Sequence, residues 1–425
     1  MNESEDGVSS VTPELDFSAM GAEFLRCPHA HYQSALQRSP VMLDPQTGMY
    51  WVMGHELIRE VARNTEVFSS RIDVVGDVYK DGLDSEVAEI RSQSVPRVAT
   101  LLTQDPPVHT TYRELVKRLF AADKVAAIKP YMEQLAQDLI DDFPTNGEIE
   151  FVQKFAAPLP ICVIADQLGV PRDQADNVKD WSDAIVDLLG QVGDREHQVD
   201  CAKRERAAMT YLLEEVERCR REPNDKIISL LCSLTYTPVE GEPRLLDAGE
   251  LLSILTQLMV AGNETSTNTI AGGMWYLAQD PELVTKIRDG GRKACINFVE
   301  ELLRVWSPNQ GQFRRTTTDT ELAGVPIPKG AMVHLRYGGA NADPAVFEAP
   351  EKIDIDRRNA RKHMTFGVGT HFCVGAPLAR QEILTGFEVL LDRFESFELL
   401  EDPEDMAVHP HYNLRGLQRL AIRVS

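Results

Sequence analysis

Cysteine is scarce and irregularly spaced in this chain. There are seven cysteines, an odd number, at wide separations, and no C-x-x-C pair occurs. A disulfide framework needs cysteines that can pair, and a zinc finger needs cysteines that lie close together in sequence. The sequence therefore argues against both kinds of site and favours reduced thiols in an intracellular protein.

Long hydrophobic runs are also missing. The most apolar stretch, residues 251–262, is interrupted by Ser253, Thr256 and Gln257. No segment approaches the roughly 20 apolar residues needed to cross a bilayer. Residues 1–16 are polar and acidic, without the basic and apolar regions of a secretory signal. We therefore expect a soluble, cytoplasmic protein with no membrane span.

Basic residues are in deficit. The 44 lysines and arginines face 66 aspartates and glutamates, which gives a formal net charge of −22. General nucleic-acid binders and polybasic membrane-surface proteins hold phosphates with an excess of lysine and arginine. The composition therefore argues against both classes, although a local basic patch remains compatible with it.

Repeats, low-complexity tracts and glycine/serine linkers are absent from the sequence. This favours one continuous domain, which we place at residues 19–425 after a disordered N-terminus of residues 1–18. Helical periodicity dominates from about residue 108 to residue 306. Strand patterns occur at residues 41–53 and 322–337, and again near the end of the chain. The predicted fold class is mainly α with a minor β part.

The segment 366–375, FGVGTHFCVG, combines three glycines, a histidine and Cys373 immediately before a strongly helical stretch. Glycines permit a tight loop and close approach to the backbone. A cysteine at a helix N-terminus faces the positive end of the helix dipole and N–H groups, and both stabilise a thiolate. Such a thiolate is a nucleophile or a metal ligand. The alternative, a buried structural cysteine, is the reading we accept for the other six.

At every defined position this segment resembles F-G-x-G-x-H-x-C-x-G, the haem-binding signature of the cytochrome P450 monooxygenases. The resemblance implies the cytochrome P450 fold, a single large triangular domain, and heme b (iron protoporphyrin IX) as cofactor. It implies that Cys373 is the proximal thiolate ligand of the iron, where thiolate ligation favours O–O cleavage. It also places Phe366, Gly367 and Gly375 in the haem-binding loop and His371 at a haem propionate.

Two further motifs fit the same family. His109 and Arg113, at i,i+4, share one helix face and can reach the same anion. An ordinary solvated helix face is the alternative, but in the family this pair holds haem propionates. Arg314, in FRRTTTD, matches another propionate-binding arginine of the family, although the adjacent Arg315 leaves a one-residue alternative.

A third motif has a structural role in the family. Glu301 and Arg304 form an E-x-x-R pair, and Arg357, in IDIDR, matches the later arginine that joins them. The resemblance implies a buried ion network of these three side chains. Such a network stabilises the fold only if its members are fully satisfied.

Residues 261–265, AGNET, contain the second candidate chemical centre. Ala261, Gly262 and Thr265 share one face of a predicted helix, where small residues let a flat group or a ligand approach the backbone. The alternative is a core helix with a small-residue packing patch. The segment resembles the family's oxygen-activation motif A-G-x-E-T. The resemblance implies that Thr265 hydrogen-bonds dioxygen or a nearby water and that Glu264 relays protons to it, as a catalytic acid–alcohol pair.

The resemblance covers roughly residues 20–425. It implies a haem-thiolate monooxygenase that inserts one oxygen atom of O2 into an apolar small molecule, by hydroxylation, epoxidation or O-dealkylation. No ferredoxin-like cysteine spacing occurs, so we expect electrons from a separate ferredoxin and an NAD(P)H-dependent ferredoxin reductase. A ferredoxin is expected to dock near Cys373 by charge complementarity. The candidate cations are Arg113, Lys117, Arg118, Lys124, Arg361, Lys362 and Arg380.

Other activities stay open at the level of sequence. A peroxide-driven peroxygenase, or a haem-dependent isomerase or dehydratase, needs no proton relay to O2, so Glu264 and Thr265 weigh against it. A non-enzymatic haem-binding sensor is the other alternative. The substrate is not identified, because the segments expected to surround it mix apolar and polar groups. Those segments are residues 72–102, the helix face at Leu258 and Ala261, residues 308–312, and Tyr412 with Asn413.

Overall fold

Helices make up most of the structure, a computed structural model that describes residues 12–72 and 84–425. Within those ranges the α-helices are α1 Ala22–Arg26, α2 Pro28–Arg38, α3 His55–Arg63, α4 Ser85–Ser92, α5 Val108–Lys117, α6 Ala122–Asp141, α7 Pro158–Leu168, α8 Ala175–Gly190, α9 Arg195–Arg221, α10 Ile227–Ser233, α11 Ala248–Leu277, α12 Pro281–Trp306, α13 Tyr337–Asn341 and α14 Ala376–Arg393. The strands are β1 Val41–Leu43, β2 Tyr50–Val52, β3 Phe68–Ser69, β4 Gly147–Glu150, β5 Thr235–Tyr236, β6 Arg244–Leu245, β7 Gly311–Thr316, β8 Thr320–Leu322, β9 Val325–Ile327, β10 Met332–Arg336, β11 Phe397–Leu399 and β12 Ala421–Val424.

Helix α11 passes through the core of the molecule. It begins at a capping box: the Asp247 carboxylate accepts from the Glu250 N–H at 2.9 Å, and the Glu250 carboxylate accepts from the Asp247 N–H at 2.8 Å. Most of its side chains are buried, and it contacts α7, α8, α9, α12 and α14. A helix that is buried on most faces lies inside the protein rather than on it. Residues 261–265, in the middle of α11, are therefore in the interior.

The strands form small sheets beside the helices. The largest of these has the order β1-β2-β10-β7-β3, with β2 parallel to β10 and the other neighbours antiparallel. In the register of β7 on β10, Arg314 lies opposite Val333. Side chains alternate between the two faces of a strand, so Arg314 and Arg315 point in different directions.

The predicted fold class, mainly α with a minor β part, is confirmed. Strands occur at residues 41–53, within 322–337 and near the chain end, and the helical region from 108 to 306 is interrupted only by short strands in the described residues. Within those residues, none of the helices has the length and apolarity to cross a membrane.

Part of residues 1–18, which the sequence predicts to be disordered, is hydrogen-bonded to β1. The Leu15 N–H donates to the Leu43 carbonyl at 2.9 Å, and the Leu43 N–H donates to the Pro13 carbonyl at 2.8 Å. The Leu15 side chain is buried in a cluster with Phe24 and Trp51. The sequence does not predict this contact, because a single apolar residue in an acidic stretch shows neither helical nor strand periodicity. Residues 1–11 lie outside the described residues.

A buried ion network joins α12 to the segment after α13. Arg304 donates from Nε and Nη2 to the two carboxylate oxygens of Glu301, at 2.8 and 2.9 Å. Arg357 donates to Glu301 Oε2 at 2.9 Å. The other Arg304 donors reach the carbonyls of Asn341, Pro350 and Lys352.

This network extends to the start of the cysteine loop. The Asn341 side chain donates to Thr365 Oγ1 at 2.9 Å and accepts from the Met364 N–H at 2.6 Å. Thr365 in turn donates to the Leu303 carbonyl at 2.6 Å. The Glu301 and Arg304 side chains are fully buried. The polar groups of the network are thus paired, and they hold residues 364–365 in place.

We predict that Arg304→Ala lowers the free energy of unfolding by about 3 kcal/mol or more, because it leaves the Glu301 carboxylate partly uncompensated in the core. Urea unfolding followed by circular dichroism measures this. The control is Arg423→Ala, which removes an arginine that binds Glu148 and Glu398 at the surface. The control should lower the free energy of unfolding much less. Equal decreases for both variants would contradict a structural role for the network.

Candidate active site

A cavity of about 1030 Å³ lies between α11 and the loop that precedes α14. Apart from Glu264, every residue that the sequence analysis placed at the cofactor or the reacting centre lines it. These residues are His109, Arg113, Ala261, Gly262, Thr265, Arg314, Phe366, Gly367, His371, Cys373 and Gly375. Residues from α5, α11, β7 and the cysteine loop, which are far apart in sequence, are thus brought together in one place.

The cysteine loop, residues 366–375, is closed by the Cys373 N–H, which donates to the Phe366 carbonyl at 2.8 Å. Gly367 and Gly369 adopt φ values of +70° and +75°, where residues other than glycine are strained. A Cβ on Gly367 would lie 3.1 Å from the Tyr337 hydroxyl. The glycines of the sequence motif are therefore required by the backbone path and by the close packing of the loop.

The Cys373 sulfur lies at the N-terminus of α14. Burial raises the pKa of the Cys373 thiol, while the backbone N–H groups of Gly375 and Ala376 and the charge of Arg113 act in the opposite direction. A metal ion that binds the sulfur deprotonates it. The N–H groups then stabilise the resulting thiolate, so the position suits a metal ligand.

Four nitrogen-bearing side chains converge beside this loop. The His109 and His371 rings are 4.3 Å apart between centroids. Arg113 donates from Nη2 to the Phe372 carbonyl at 2.5 Å, and Arg314 is buried in the cavity wall. Within the described residues, His109 Nδ1 and Arg314 Nε are buried without a hydrogen-bond partner. Such a set of donors is suited to bind carboxylates.

The electrostatics of this group follow from burial and from like charge. Burial, together with Arg113, lowers the pKa of His109 to about 4. Burial, together with Arg314 and His109, lowers the pKa of His371 to about 2. His371 Nε2 lies 3.0 Å from the Ser70 hydroxyl. Both imidazoles are therefore neutral near pH 7, and the two arginines carry the positive charge that faces the cavity.

Arg314 and Arg315 have different surroundings, because neighbouring side chains of β7 point to opposite faces. Arg314 is 2% exposed and lines the cavity, whereas Arg315 is half-buried and does not line it. Burial lowers the pKa of Arg314, opposed by the charges of Tyr337 and Asp105. Arg314 is thus the arginine placed to meet an anion in the cavity.

On the other side of the cavity, α11 contributes Ala261, Gly262 and Thr265. Ala261 is exposed, although most of the helix is buried, because it faces the open cavity. The Thr265 hydroxyl donates to the Ala261 carbonyl at 3.1 Å. A Cβ on Gly262 would lie 2.9 Å from a side-chain carbon of Ile164. Gly262 is thus required for the contact with α7 as well as at the cavity wall.

Glu264 does not line the cavity. Its side chain faces α8, where Asp183 and Lys179 form an ion pair at 2.8 Å. Burial and the nearby Asp183 carboxylate raise the pKa of Glu264 well above its usual range. Glu264 therefore takes up and releases protons at a higher pH than an ordinary carboxylate, on the side of α11 that faces away from Cys373.

A haem group fits these residues. The exposed Ala261 and the cysteine loop leave open space between them, and the buried His109 Nδ1 and Arg314 Nε atoms suit the carboxylates of propionate groups. Cys373 offers a cysteine sulfur in the cavity lining, and the N–H groups of Gly375 and Ala376 lie where they favour its thiolate form. The donor set therefore matches a dianionic macrocycle with an iron that binds sulfur.

Sequence reasoning missed Glu382, a buried carboxyl group of α14 that also lines the cavity. Its Oε2 accepts from the Ser266 hydroxyl at 2.9 Å, and its Oε1 has no hydrogen-bond partner among the described residues. Burial raises the pKa of Glu382 to about 8. The available signal was its position between Leu378 and Ile383 on an apolar helix face, where a carboxylate is unusual.

Glu300 was missed as well. Its carboxylate binds Arg380 at 2.8 Å and His363 at 3.2 Å. Burial opposes ionisation, but these hydrogen bonds hold the pKa of Glu300 at about 2. The Arg380 guanidinium lies over the Phe366 ring, 4.4 Å from its centroid. Arg380, predicted to belong to a basic docking patch, is therefore paired internally and supports the cysteine loop.

The segments expected around the substrate have different outcomes. Most residues from 94 to 102 line the cavity, as do Leu258, Ala261, Pro308, Asn309 and Gln312. Residues 73–83 of the expected loop lie outside the described residues. Tyr412 and Asn413 are not part of the lining. Tyr412 instead packs with Trp51 and accepts a hydrogen bond from its indole N–H at 2.6 Å.

The described residues and the full sequence resemble known proteins. The family description "Cytochrome P450" matches residues 293–414. Cytochrome P450 107B1 of Saccharopolyspora erythraea is 35% identical over 324 residues, which are 76% of each chain. Cytochrome P450 monooxygenase PikC of Streptomyces venezuelae is 30% identical, over 100% of this chain and 97% of the relative. The structure of P450BioI in complex with a fatty-acid-ligated acyl carrier protein matches with a TM-score of 0.83 and 26% identity, over 95% of this chain and 100% of the other.

We predict that Glu382→Gln reduces the loss of stability at alkaline pH. The pKa of Glu382 is about 8 in the folded protein and 4.5 in an unperturbed glutamate. The folded state thus retains a proton that the unfolded chain releases, so this group makes stability fall as pH rises from about 4.5 to about 8. Glutamine keeps the shape without the ionisation, so the stability lost between pH 6 and pH 9 should be about 2–3 kcal/mol smaller in the variant.

Urea unfolding at pH 6 and pH 9 measures the effect. The matched control is Glu388→Gln on the same helix, where the carboxylate pairs with Arg292 and is partly exposed. The pH dependence of the control should follow that of the unmodified protein. An unchanged difference between pH 6 and pH 9 in Glu382→Gln would show that Glu382 does not retain a proton on folding.

Proposed function

Because this chain belongs to the cytochrome P450 family, we propose that it is a haem-thiolate monooxygenase that inserts one oxygen atom of O2 into an apolar small molecule. The reaction is a hydroxylation, an epoxidation or an O-dealkylation. The observation that carries the proposal is the convergence, on one cavity, of the Cys373 sulfur, a cationic group and the Thr265 hydroxyl. The named function of PikC, a monooxygenase, agrees with it.

The proposed cofactor is heme b, whose iron the Cys373 sulfur would bind. When bound, haem supplies the iron at which O2 is activated, and the thiolate donates electron density to that iron. The protein's own contribution is to orient the group and to fix its charge. Arg113, Arg314, His109 and His371 would bind the propionates, and the N–H groups of Gly375 and Ala376 would favour the thiolate form of the iron-bound sulfur.

We further propose that Thr265 and Glu264 deliver protons. The Thr265 hydroxyl lies in the cavity wall, where it can hydrogen-bond dioxygen or a water molecule. Glu264 holds a proton on its carboxyl group, facing Asp183 and Lys179 on α8. The Lys179 and Asp183 side chains are each 39% exposed, so they connect the Glu264 side of α11 with bulk water. Two consecutive residues of α11 thus face the cavity and the proton source.

The proposed proton relay of Thr265 and Glu264 also distinguishes the monooxygenase reaction from the other haem-dependent activities. A peroxygenase, an isomerase or a dehydratase has no need of protons delivered to O2, and a sensor has no need of turnover. A raised pKa on a carboxyl group that faces a solvent-connected ion pair is suited to proton transfer near neutral pH. Glu264 therefore favours the O2-dependent monooxygenase.

The substrate is proposed to be a small molecule with a mainly apolar surface. The apolar residues of the cavity lining include Val95 and Leu101, and Leu258 and Val260 on α11. Polar positions occur where α4 and α9 meet, at Arg91, Glu205 and Arg206, and they line the same cavity. An apolar cavity with a few polar groups orients its ligand through those groups.

Electrons are proposed to come from NAD(P)H through a ferredoxin reductase and a ferredoxin, in the cytoplasm. The docking site would be the proximal surface, which we define as Lys117, Arg118, Lys124 and Phe372. All four side chains are exposed, and Phe372 is adjacent to Cys373. The bond from Arg113 to the Phe372 carbonyl places the C-terminal end of α5 beside the cysteine loop. An apolar centre with basic neighbours suits an acidic electron carrier.

We predict that Thr265→Ala uncouples NAD(P)H oxidation from product formation, because the hydroxyl that guides protons is lost. Product formed per NAD(P)H consumed should fall at least about 10-fold, since a positioned proton-transfer group ordinarily contributes roughly 10²–10⁴-fold, while hydrogen peroxide rises. The control is Thr267→Ala, a buried threonine of α11 that does not line the cavity. Unchanged coupling in Thr265→Ala would favour the peroxygenase or isomerase alternative.

We predict that reversing two charges on the proximal surface, Lys117→Glu with Arg118→Glu, slows reduction by ferredoxin about 10-fold or more at low ionic strength. Stopped-flow reduction under carbon monoxide measures the rate. The matched control reverses Lys203 and Arg221, two exposed residues of α9, which changes the net charge equally. The difference should vanish at high salt. Equal rates for both double variants at low salt would exclude this docking surface.

A further inference from the structure

A second group of potential metal ligands lies outside the haem cavity, where α8 meets α9. It consists of Asp187 in the last turn of α8, His197 in the first turn of α9, and Cys201 one turn further on. His197 Nε2 lies 2.8 Å from Asp187 Oδ2 and 3.4 Å from Cys201 Sγ. The three ligand atoms all lie within 4.8 Å of one another. Oxygen, nitrogen and sulfur donors thus converge on a single point.

The positions of these side chains are fixed by their surroundings. Asp194 caps α9 by accepting from the His197 N–H at 2.9 Å. Gly193 adopts φ +81°, and a Cβ there would lie 2.6 Å from His197 Cδ2. The Gln198 amide donates to the Asp187 carbonyl at 3.2 Å and so ties α9 to α8. His197 and Cys201, at i,i+4, necessarily point from the same face of α9.

A catalytic Cys–His–Asp triad would need a different arrangement. In a triad, the acid binds one ring nitrogen of the histidine and the nucleophile binds the other. Here the aspartate oxygen and the cysteine sulfur both contact Nε2. Three donors around one point, rather than donors on opposite sides of a ring, is the arrangement of a metal site.

We propose that Asp187, His197 and Cys201 bind a zinc ion. Zinc takes cysteine, histidine and aspartate ligands in tetrahedral geometry, and its bonds of 2.0–2.3 Å place neighbouring ligand atoms roughly 3.2–3.7 Å apart. The observed 2.8 and 3.4 Å separations come within about half an ångström of that range. The mixture of nitrogen and sulfur donors disfavours Ca²⁺ and Mg²⁺, which prefer oxygen.

Burial and charge fit an ion that keeps one exchangeable ligand. The Cys201 sulfur is buried, while the Asp187 and His197 side chains are 26% and 38% exposed, so water reaches the site from one side and supplies the fourth ligand. Arg204 donates to Cys201 Sγ at 3.3 Å and is neutralised by Asp180 and Asp200. This guanidinium competes with the ion for the sulfur and limits the affinity.

The ion would connect two helices that form part of the active-site cavity. α8 contributes Ile185 and Leu189 to the cavity wall, and α9 contributes Ala202, Glu205, Arg206 and Met209. Asp187 lies between the first two residues in sequence, and Cys201 directly precedes Ala202. Zinc binding would therefore fix the spacing of α8 and α9 at the substrate cavity without contacting the haem.

The test is calorimetric titration of the haem-loaded protein with Zn²⁺ in metal-free buffer. We expect one ion per chain. Cys201→Ser or His197→Ala should weaken zinc binding about 100-fold, because even the loss of a residue that only supports a metal ligand lowers metal affinity roughly 10- to 100-fold. The control is Cys219→Ser, a buried cysteine of the same helix, which should bind as the unmodified protein does. Arg204→Gln should bind more tightly, because the competing cation is removed.

Two further measurements remain informative even if the Cys201→Ser and His197→Ala variants fail to fold. Cd²⁺ should give an ultraviolet sulfur-to-cadmium charge-transfer band in the unmodified protein and in Cys219→Ser. Zn²⁺ should raise the melting temperature in proportion to the logarithm of its concentration. Absence of one-to-one binding, absence of the cadmium band, or equal affinity in Cys201→Ser would overturn the proposal. Activity enters none of these readouts, so the proposed monooxygenase function is tested separately.

Discussion

The structure depends on where it holds one buried sulfur atom, that of Cys373, beside the N–H groups at the start of α14. Burial alone opposes ionisation of Cys373, and the N–H groups of Gly375 and Ala376 at the start of α14 act against that cost. These groups reach the sulfur only if the loop turns sharply, which requires the positive φ angles of Gly367 and Gly369. The glycines, the helix start and the cysteine therefore act together to place the sulfur, and none of them has its effect alone.

Two ion networks support the cysteine loop through Thr365 and Phe366, at its N-terminal end. Glu301 and Arg304 fix the segment that Asn341 ties to Thr365, and Glu300 with Arg380 supports the Phe366 ring. Buried ions are costly unless their hydrogen bonds are satisfied, and here backbone carbonyls complete the set. Rigidity at the ligand loop is thus obtained from polar groups, while the apolar core supplies the bulk of the stability.

The parts of the site that the sequence predicted are those encoded locally. The cysteine loop, the His109–Arg113 pair and the AGNET segment were each recognised from a few neighbouring residues that resemble family motifs. Glu382 and Glu300 escaped prediction because their partners, Ser266 and Arg380, lie 116 and 80 residues away. The minor sheets and the ordered Leu15 depend likewise on distant contacts, whereas the helical class of the fold follows from periodicity.

Consecutive residues of α11 meet different surroundings, because a helix turns about 100° per residue. Thr265 faces the cavity, and Glu264 faces Asp183 on α8. The position of α8 then matters twice. It carries Asp183 opposite Glu264 and, one turn later, Asp187 opposite α9, so a displacement of α8 would alter both the surroundings of Glu264 and the shape of the cavity.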